Sequence, residues 1–282
     1  MIDKNLLRQI KNQRPSEPVK EKKRLIYRLN KLFTFLFNLF HKRGFKYNSL
    51  NSKESLNLLL TTKKSLIRFG DGEARIIVGK DQGCQNYHPK LRKKLTEIWL
   101  NYSSDSPYLF ALSNWNLTSS VEELKKRGTF HIWKFSRYLF WKFKMEKLKL
   151  PILETDMFRA GPAILDGKEI ERLWNDYSNL IMVHHSLEYY KWFSSKYPEK
   201  KVFFIQIPDK NFFEFVEEKK EEVRELVKRE KIDKKDIVIL IAGGPGGKVF
   251  CYDLILEGFK CLDVGHYFHT FYNLEKMKNE KI

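Results

Sequence analysis

Cysteine is scarce in this 282-residue chain, which has only Cys84, Cys251 and Cys261. An odd number without zinc-type spacing argues against a disulfide framework and fits a reducing, cytoplasmic setting. Cys251 and Cys261 stand in apolar sequence, where thiols are usually inert core groups. A long apolar run is missing too. The richest stretch, Arg24 to Phe40, is interrupted by Arg28, Lys31, Thr34 and Asn38 and falls short of the ~20 apolar residues that cross a bilayer. Met1 to Lys23 is polar and does not read as a signal peptide. Internal repeats and low-complexity linkers are also lacking. Acidic residues are in deficit, 35 against 53 Lys and Arg, for a net charge of +18.

That charge is concentrated. Residues 1–50 hold 13 Lys or Arg against 3 Asp or Glu, a surplus of +10. Within them, Arg24 to Phe40 reads as a helix with basic flanks, closed by His41-Lys42-Arg43. Two readings of this arm, residues 1–48, stand side by side. It lies on an anionic membrane surface with Phe33, Phe37 and Phe40 inserted, peripheral to the inner face, or it packs on the domain or on a partner subunit of a homo-oligomer. Nucleic acid is not the expected partner, because the basic residues belong to no recognisable module.

The remainder is globular, with 42% hydrophobic and 15% aromatic residues, and is expected as one domain over 49–276. Apolar runs at Ser65–Phe69, Tyr108–Leu112, Pro151–Glu154, Leu180–Val183, Val202–Ile207, Ile237–Ile241 and Cys261–Val264 read as strands. Helical spacing falls between them at 52–60, 90–101, 121–149 (broken at Gly128), 169–177, 212–231 and 248–257. Alternation of this kind predicts an α/β fold, a Rossmann-like and mainly parallel sheet flanked by helices, with ligands at the carboxyl ends of its strands.

Two short segments follow such strands and carry most of the chemistry. Arg68-Phe69-Gly70-Asp71-Gly72-Glu73 puts two carboxylates one residue apart between glycines, where a hard divalent cation could share its oxygens with a phosphate. Gly243-Gly244-Pro245-Gly246-Gly247 reads as a turn between a strand and a helix, where backbone N–H groups and a helix N-terminus can face an anion. It is not a Walker A loop, since Ala242 and Val249 stand where glycine and Ser or Thr are needed. Nor is it a dinucleotide fingerprint, since Val249 takes the third glycine's place. The plain alternatives are a tight turn without a ligand and a solvated strand end. Together the two segments suggest a metal and nucleotide-diphosphate site.

These residues resemble the GT-D type glycosyltransferases, a metal-dependent family first described as a domain of unknown function. The family's R-F-G-D-G-E signature is matched by Arg68 to Glu73 at every position. Its Q-x-Y-x-P-x-L stretch is similar to Gln85-Asn86-Tyr87-His88-Pro89-Lys90-Leu91. Its closing G-P-x-A, Y-D-L, G-[YF] and D-[IV]-G-H elements look like Gly244 to Gly247, Tyr252-Asp253-Leu254, Gly258-Phe259 and Asp263-Val264-Gly265-His266. The middle is looser. Thr155 to Arg159 is only distantly similar, and where members carry G-E and an arginine this chain reads His184-His185-Ser186-Leu187-Glu188. His184 and His185 are candidate replacements, with surface or turn residues as the plain alternative.

The resemblance implies transfer of a hexose from a UDP-sugar, with Mn2+ or Mg2+ held by Asp71 and Glu73. The acceptor is a glycan, a glycoprotein or a lipid-linked sugar in cell-surface polysaccharide or glycoprotein synthesis. On this reading Asp71, Glu73 and His266 are catalytic, and His266 touches the metal or the diphosphate. Arg68, Gly70, Gly72, Gly244, Gly246 and Gly247 contact the donor, and Asp263 its ribose. Arg68 is equally readable as a structural ion-pair partner of Asp71. The base is left open between Glu73 and Asp156. A non-catalytic nucleotide-sugar binding or scaffold protein and a metal-dependent phosphoesterase are the competing classes.

Overall fold

The strands form where the apolar runs predict them: β1 (Ser65–Arg68), β2 (Tyr108–Leu112), β3 (Leu153–Glu154), β4 (Asn179–His184), β5 (Lys201–Gln206), β6 (Ile237–Ile241) and β7 (Lys260–Asp263). In the computed structural model, which describes residues 17–143, 149–159 and 166–280, they make one sheet in the order β3-β2-β1-β7-β6-β4-β5. Every strand pair in it is parallel. The first 16 residues of the arm, and 144–148 of the helical stretch expected to reach 149, lie outside the described residues.

Central strands of a parallel sheet are covered on both faces, and so read as continuous apolar runs. All five residues of β6 are buried. Alternation then sorts them: Ile237, Ile239 and Ile241 enter one core with Leu91, Trp99 and Phe250, while Val238 and Leu240 enter the other with Trp174, Phe193 and Phe268. Cys251 and Cys261 are buried in the first core, as expected of inert thiols.

The longer helices are α1 (Glu17–Phe40), α2 (Ser52–Thr62), α3 (Asp71–Ile77), α4 (Pro89–Leu100), α5 (Phe130–Lys142), α6 (Leu187–Ser195), α7 (Val216–Arg229), α8 (Gly244–Leu256) and α9 (Tyr267–Asn279). The helices depart from the sequence reading in several places. The glycine stretch is not a turn ahead of a helix beginning at 248. It is the first turn of α8, with Gly243 as cap and Pro245 inside that turn, where its missing N–H costs nothing. The carboxylate segment, likewise, is not a loop but the start of α3. The expected helix over 169–177 is short, Gly167–Glu171. The helices α6 and α9 were not anticipated.

α1 lies along α5. Tyr27 meets Phe135, Phe37 meets Tyr138 and Trp141, and Lys23 Nζ donates to Asp81 at 2.7 Å. Arg137, fully buried, ties the junction by donating to the carbonyls of Ser119 at 2.6 Å and Arg43 at 2.8 Å.

Candidate active site

Each of the segments singled out in the sequence follows a strand, so the parallel sheet delivers them to one edge. Residues after β1, β3, β4, β5, β6 and β7 line a cleft of about 540 Å³ at the carboxyl ends of the strands. That volume is in the usual range for small-molecule sites. β1 and β7 are neighbours, so the two ends of the chain meet at its floor.

Beneath the cleft lies a cluster of four buried charges. Lys248, in the second turn of α8, has its Nζ 2.9 Å from Asp263 Oδ2 and 3.7 Å from Glu73 Oε1. Arg68 Nη2 is 3.7 Å from Asp263 Oδ1, and the Arg68 backbone N–H donates to Asp263 Oδ2 at 3.1 Å. Arg68 also donates to the Thr155 carbonyl at 2.7 Å and lies over the Phe158 ring. Burial would by itself lower the Lys248 pKa; the charges of Asp263 and Glu73 outweigh it and raise the value above the ordinary one. Lys248 is therefore a fixed ammonium at the base of the cleft.

The two carboxylates of the first signature separate in role. Glu73 is 5% exposed; its Oε2 accepts from the Gly70 N–H at 2.7 Å, capping α3, and its Oε1 faces Lys248. Asp71 stays partly open on the cleft wall with Arg75 Nε at 3.3 Å. Both sit in the first turn of a helix, where negative charge is favoured.

The expected site residues do not all reach the cleft. Arg68, Gly70, Asp71, Gly72, Glu73, Gly244, His184, His185 and His266 line it, whereas Gly246, Gly247 and Asp263 do not. Asp263, 1% exposed, is the counter-ion of Arg68 and Lys248 and is not placed to meet a ribose. Gly246 is small for packing: a Cβ there would stand 2.6 Å from the Phe213 backbone N. At Gly247 the nearest neighbour is the Ile241 side chain. Arg68 pairs with Asp263 and not with Asp71. Of the two candidate bases, Glu73 is committed to its cap, and Asp156 lies outside the cleft lining beside Arg159.

His184 is buried, with Nδ1 accepting from the Ser186 N–H at 2.9 Å. Burial, then the neighbouring His185 and His269, hold its pKa down to about 3. His266 stands on the wall just after β7. Desolvation there, then the charges of Arg159, Arg68 and Lys248, push its pKa down to about 4, so its imidazole is neutral at pH 7.

Sequence reasoning missed Lys248, Trp133, Tyr189 and Asp209 on this cleft and gave Arg159 no role. A signal for Lys248 is present: it directly follows the glycine stretch, at the lysine position of the Walker pattern that fails at Ala242 and Val249. The Gln85 stretch turns out to be a latch. Gln85 Oε1 accepts from the Phe213 N–H at 3.1 Å, and Asn211 Oδ1 accepts from the Asn86 N–H at 2.8 Å, fixing the loop against which α8 begins.

Among the described residues no three His, Cys, Asp or Glu side chains group as a metal site. The donor set is nonetheless hard oxygen, from the partly open carboxylate of Asp71 and from Glu73 Oε1, which shares its side of the cleft with Lys248 at 3.7 Å. It fits a divalent cation whose remaining ligands come from phosphate oxygens and water, and does not fit one caged by protein alone.

Comparison with known proteins agrees with the fold. A solved structure described as a new glycosyltransferase (DUF1792) from Streptococcus sanguinis superposes with a TM-score of 0.65 at 23% identity, covering 82% of this chain and 85% of that one. Another, described as domain of unknown function 1792 with a distinct glycosyltransferase fold, gives 0.63 at 22% identity over 88% and 86%. The probable glycosyl transferase Gly of Streptococcus gordonii is 27% identical over 236 residues, 77% of this chain. The chain spans about a third, 31%, of the length of that relative. The family model of the glycosyltransferase GT-D fold matches residues 66–282, from β1 through the last helix, and the chain belongs to that family.

Proposed function

We propose that this protein is a metal-dependent glycosyltransferase that moves a hexose from a UDP-sugar to a glycan, glycoprotein or lipid-linked acceptor. The observation that carries this reading is the convergence on one cleft of Lys248, Arg68, the N-terminus of α8 and the open carboxylate of Asp71. Three positive elements beside a carboxylate suit a diphosphate joined to a cation better than they suit a neutral ligand.

In transfer, the acceptor hydroxyl oxygen bonds to the anomeric carbon as the bond from that carbon to the β-phosphate oxygen breaks, and the electron pair leaves with UDP. Lys248 and Arg68 are held by Asp263 before the donor arrives, so their charge meets the leaving diphosphate without reorganisation. The free N–H of Gly244 at the start of α8 adds a donor in the same place. Asp71 and Glu73 would hold Mn2+ or Mg2+, which when bound supplies further charge neutralisation to the phosphate oxygens. Asp209 lines the cleft after β5 and has no ion-pair partner among the described residues; we assign it the acceptor proton. Trp133, Tyr189 and Phe212 supply aromatic walls for the base and sugar.

The test is a panel of UDP-sugars incubated with the protein, with and without Mn2+, reading UDP release and, by calorimetry, UDP binding. Mn2+-dependent release from at least one donor is expected. Tight UDP binding without release from any donor favours the binding or scaffold reading.

A further inference from the structure

The helix α1 is inside out. Its inner side, against α5, carries Asn30, Thr34 and Asn38, all buried, alongside Tyr27 and Phe37. The Asn38 amide donates to the carbonyls of Thr34 at 2.8 Å and Lys134 at 3.2 Å, and its oxygen accepts from Arg137 Nε at 3.3 Å. Its outer side carries Leu25, Leu29, Leu32, Phe33, Leu36 and Phe40, each between 39% and 76% exposed. At about 100° per residue these six fall within an arc of roughly 100°, the width of a full amphipathic face. Arg24, Arg28 and Lys31 follow one edge of that arc, and Lys42 and Arg43 lie just past the end of the helix at Phe40. A soluble helix turns its amides to water and its leucines to the core; here the order is reversed.

We infer that α1 is an interfacial helix that lies flat on an anionic membrane, with its Leu and Phe face in the acyl boundary and its basic edge among the headgroups. Two observations favour a bilayer over a second copy of the chain. Residues 17–43 carry 8 Lys or Arg against 2 Asp or Glu, so pairing two such faces brings like charges together, whereas acidic lipid neutralises them. The positive field extends past the helix, since Lys134 of α5 sits among Lys31, Lys80 and Arg75. No helix among the described residues is long and apolar enough to cross a membrane, so the mode proposed is a helix lying in the interface and not one spanning it.

The same surface is linked to the cleft. Trp133 is on the cleft wall, and Trp141, 41% exposed, packs on Phe37 of α1 at 5.2 Å. Both belong to α5, eight residues or about 12 Å apart. Docking through α1 would hold the cleft close to the bilayer and favour a lipid-linked acceptor. Only that last step rests on the transferase reading; the docking does not.

Co-sedimentation of the full chain with vesicles tests it without any turnover. With vesicles of phosphatidylcholine and phosphatidylglycerol at low salt, the protein is expected in the pellet. Pure phosphatidylcholine should retain at least ten-fold less, and raised salt should release a large part by screening. Leu32→Glu with Leu36→Glu, both at exposed positions, should lower partitioning at least ten-fold, and Arg24→Glu with Arg28→Glu should abolish the preference for acidic lipid. Circular dichroism and UDP binding verify that the variants are folded. Protein that stays in the supernatant, or binding unaffected by L32E/L36E, overturns the proposal. So does a dimer in lipid-free buffer that L32E/L36E dissociates, which would assign the face to a second copy.

Discussion

Lys248 and Asp263 form an ion pair of 2.9 Å under the cleft, with Lys248 6% and Asp263 1% exposed. One residue comes from the glycine-led helix and the other from the end of β7. Arg68 from β1 and Glu73 from α3 complete the cluster, so both sequence signatures are tied to one buried electrostatic unit. Breaking such a unit on one side strands the remaining charges in a low-dielectric environment.

Lys248→Met should therefore cost about 3–5 kcal/mol of stability and abolish detectable UDP binding. Lys248→Arg keeps the charge but forces a larger head into the same space, and should fold while binding UDP more weakly. Chemical denaturation and calorimetry measure the two effects; normal UDP binding by folded Lys248→Met would remove the lysine from the diphosphate site.

The two signature carboxylates should behave differently. Asp71→Ala is expected to leave the melting temperature nearly unchanged and to eliminate Mn2+-dependent UDP release. Glu73→Ala removes the α3 cap and a partner of Lys248, and should lower both stability, by about 1–3 kcal/mol, and activity. Equal melting temperatures for the two variants would contradict the assignment of Glu73 to the cap.

Two glycines are needed for space inside the protein. A Cβ at Gly246 would press on the Phe213 backbone, and one at Gly265, where φ is +51°, would fall within the Arg68 guanidinium. Gly246→Ala should destabilise by about 1–3 kcal/mol. Gly265→Ala should in addition displace Arg68 and raise the UDP dissociation constant ten-fold or more, about 1.4 kcal/mol. Thermal melts paired with calorimetry separate the two; wild-type UDP affinity in Gly265→Ala would show that Arg68 does not serve the donor.

Acid should destabilise the fold through His184. Its native pKa of about 3 lies below the ordinary imidazole value of 6.5, so as pH falls below 6.5 the unfolded chain takes up a proton that the folded protein refuses. Stability is thus greatest above that pH and declines towards pH 3, with this residue contributing a slope of at most about 1.4 kcal/mol per pH unit. His184→Leu should flatten the profile between pH 6 and 4. An unchanged slope in denaturant titrations would mean that His184 protonates freely in the native state.

Much of this was legible from local pattern. Ile237–Ile241 announces a buried central strand because no residue in it tolerates water, and its β-branched run suits a pleated sheet. The glycine stretch was legible as a backbone turn at a strand end but not as helix, because glycine's poor helix propensity masks a helical turn that packing against Phe212 and Phe213 enforces. The reversed face of α1 was legible only in part: Phe33 and Phe40 are exposed as the membrane reading expects, whereas Phe37, expected beside them, is buried against α5. The apolar residues of α1 nearly surround the axis in sequence, and only contact with α5 distinguishes Asn30, Thr34 and Asn38 as the inner side.

The sequence by itself determined the alternation of strands and helices, the parallel sheet, the strand ends that line the cleft and the positive arm, since all of these follow from periodicity and charge within short windows. Only the tertiary structure decided that Asp263 is a counter-ion, that Gly246 makes room for a loop, that Glu73 caps a helix and that Lys248 sits at the floor of the cleft. Those roles depend on β7 lying between β1 and β6, a neighbourhood that brings Arg68 and Asp263 together across 195 residues and that no local window contains.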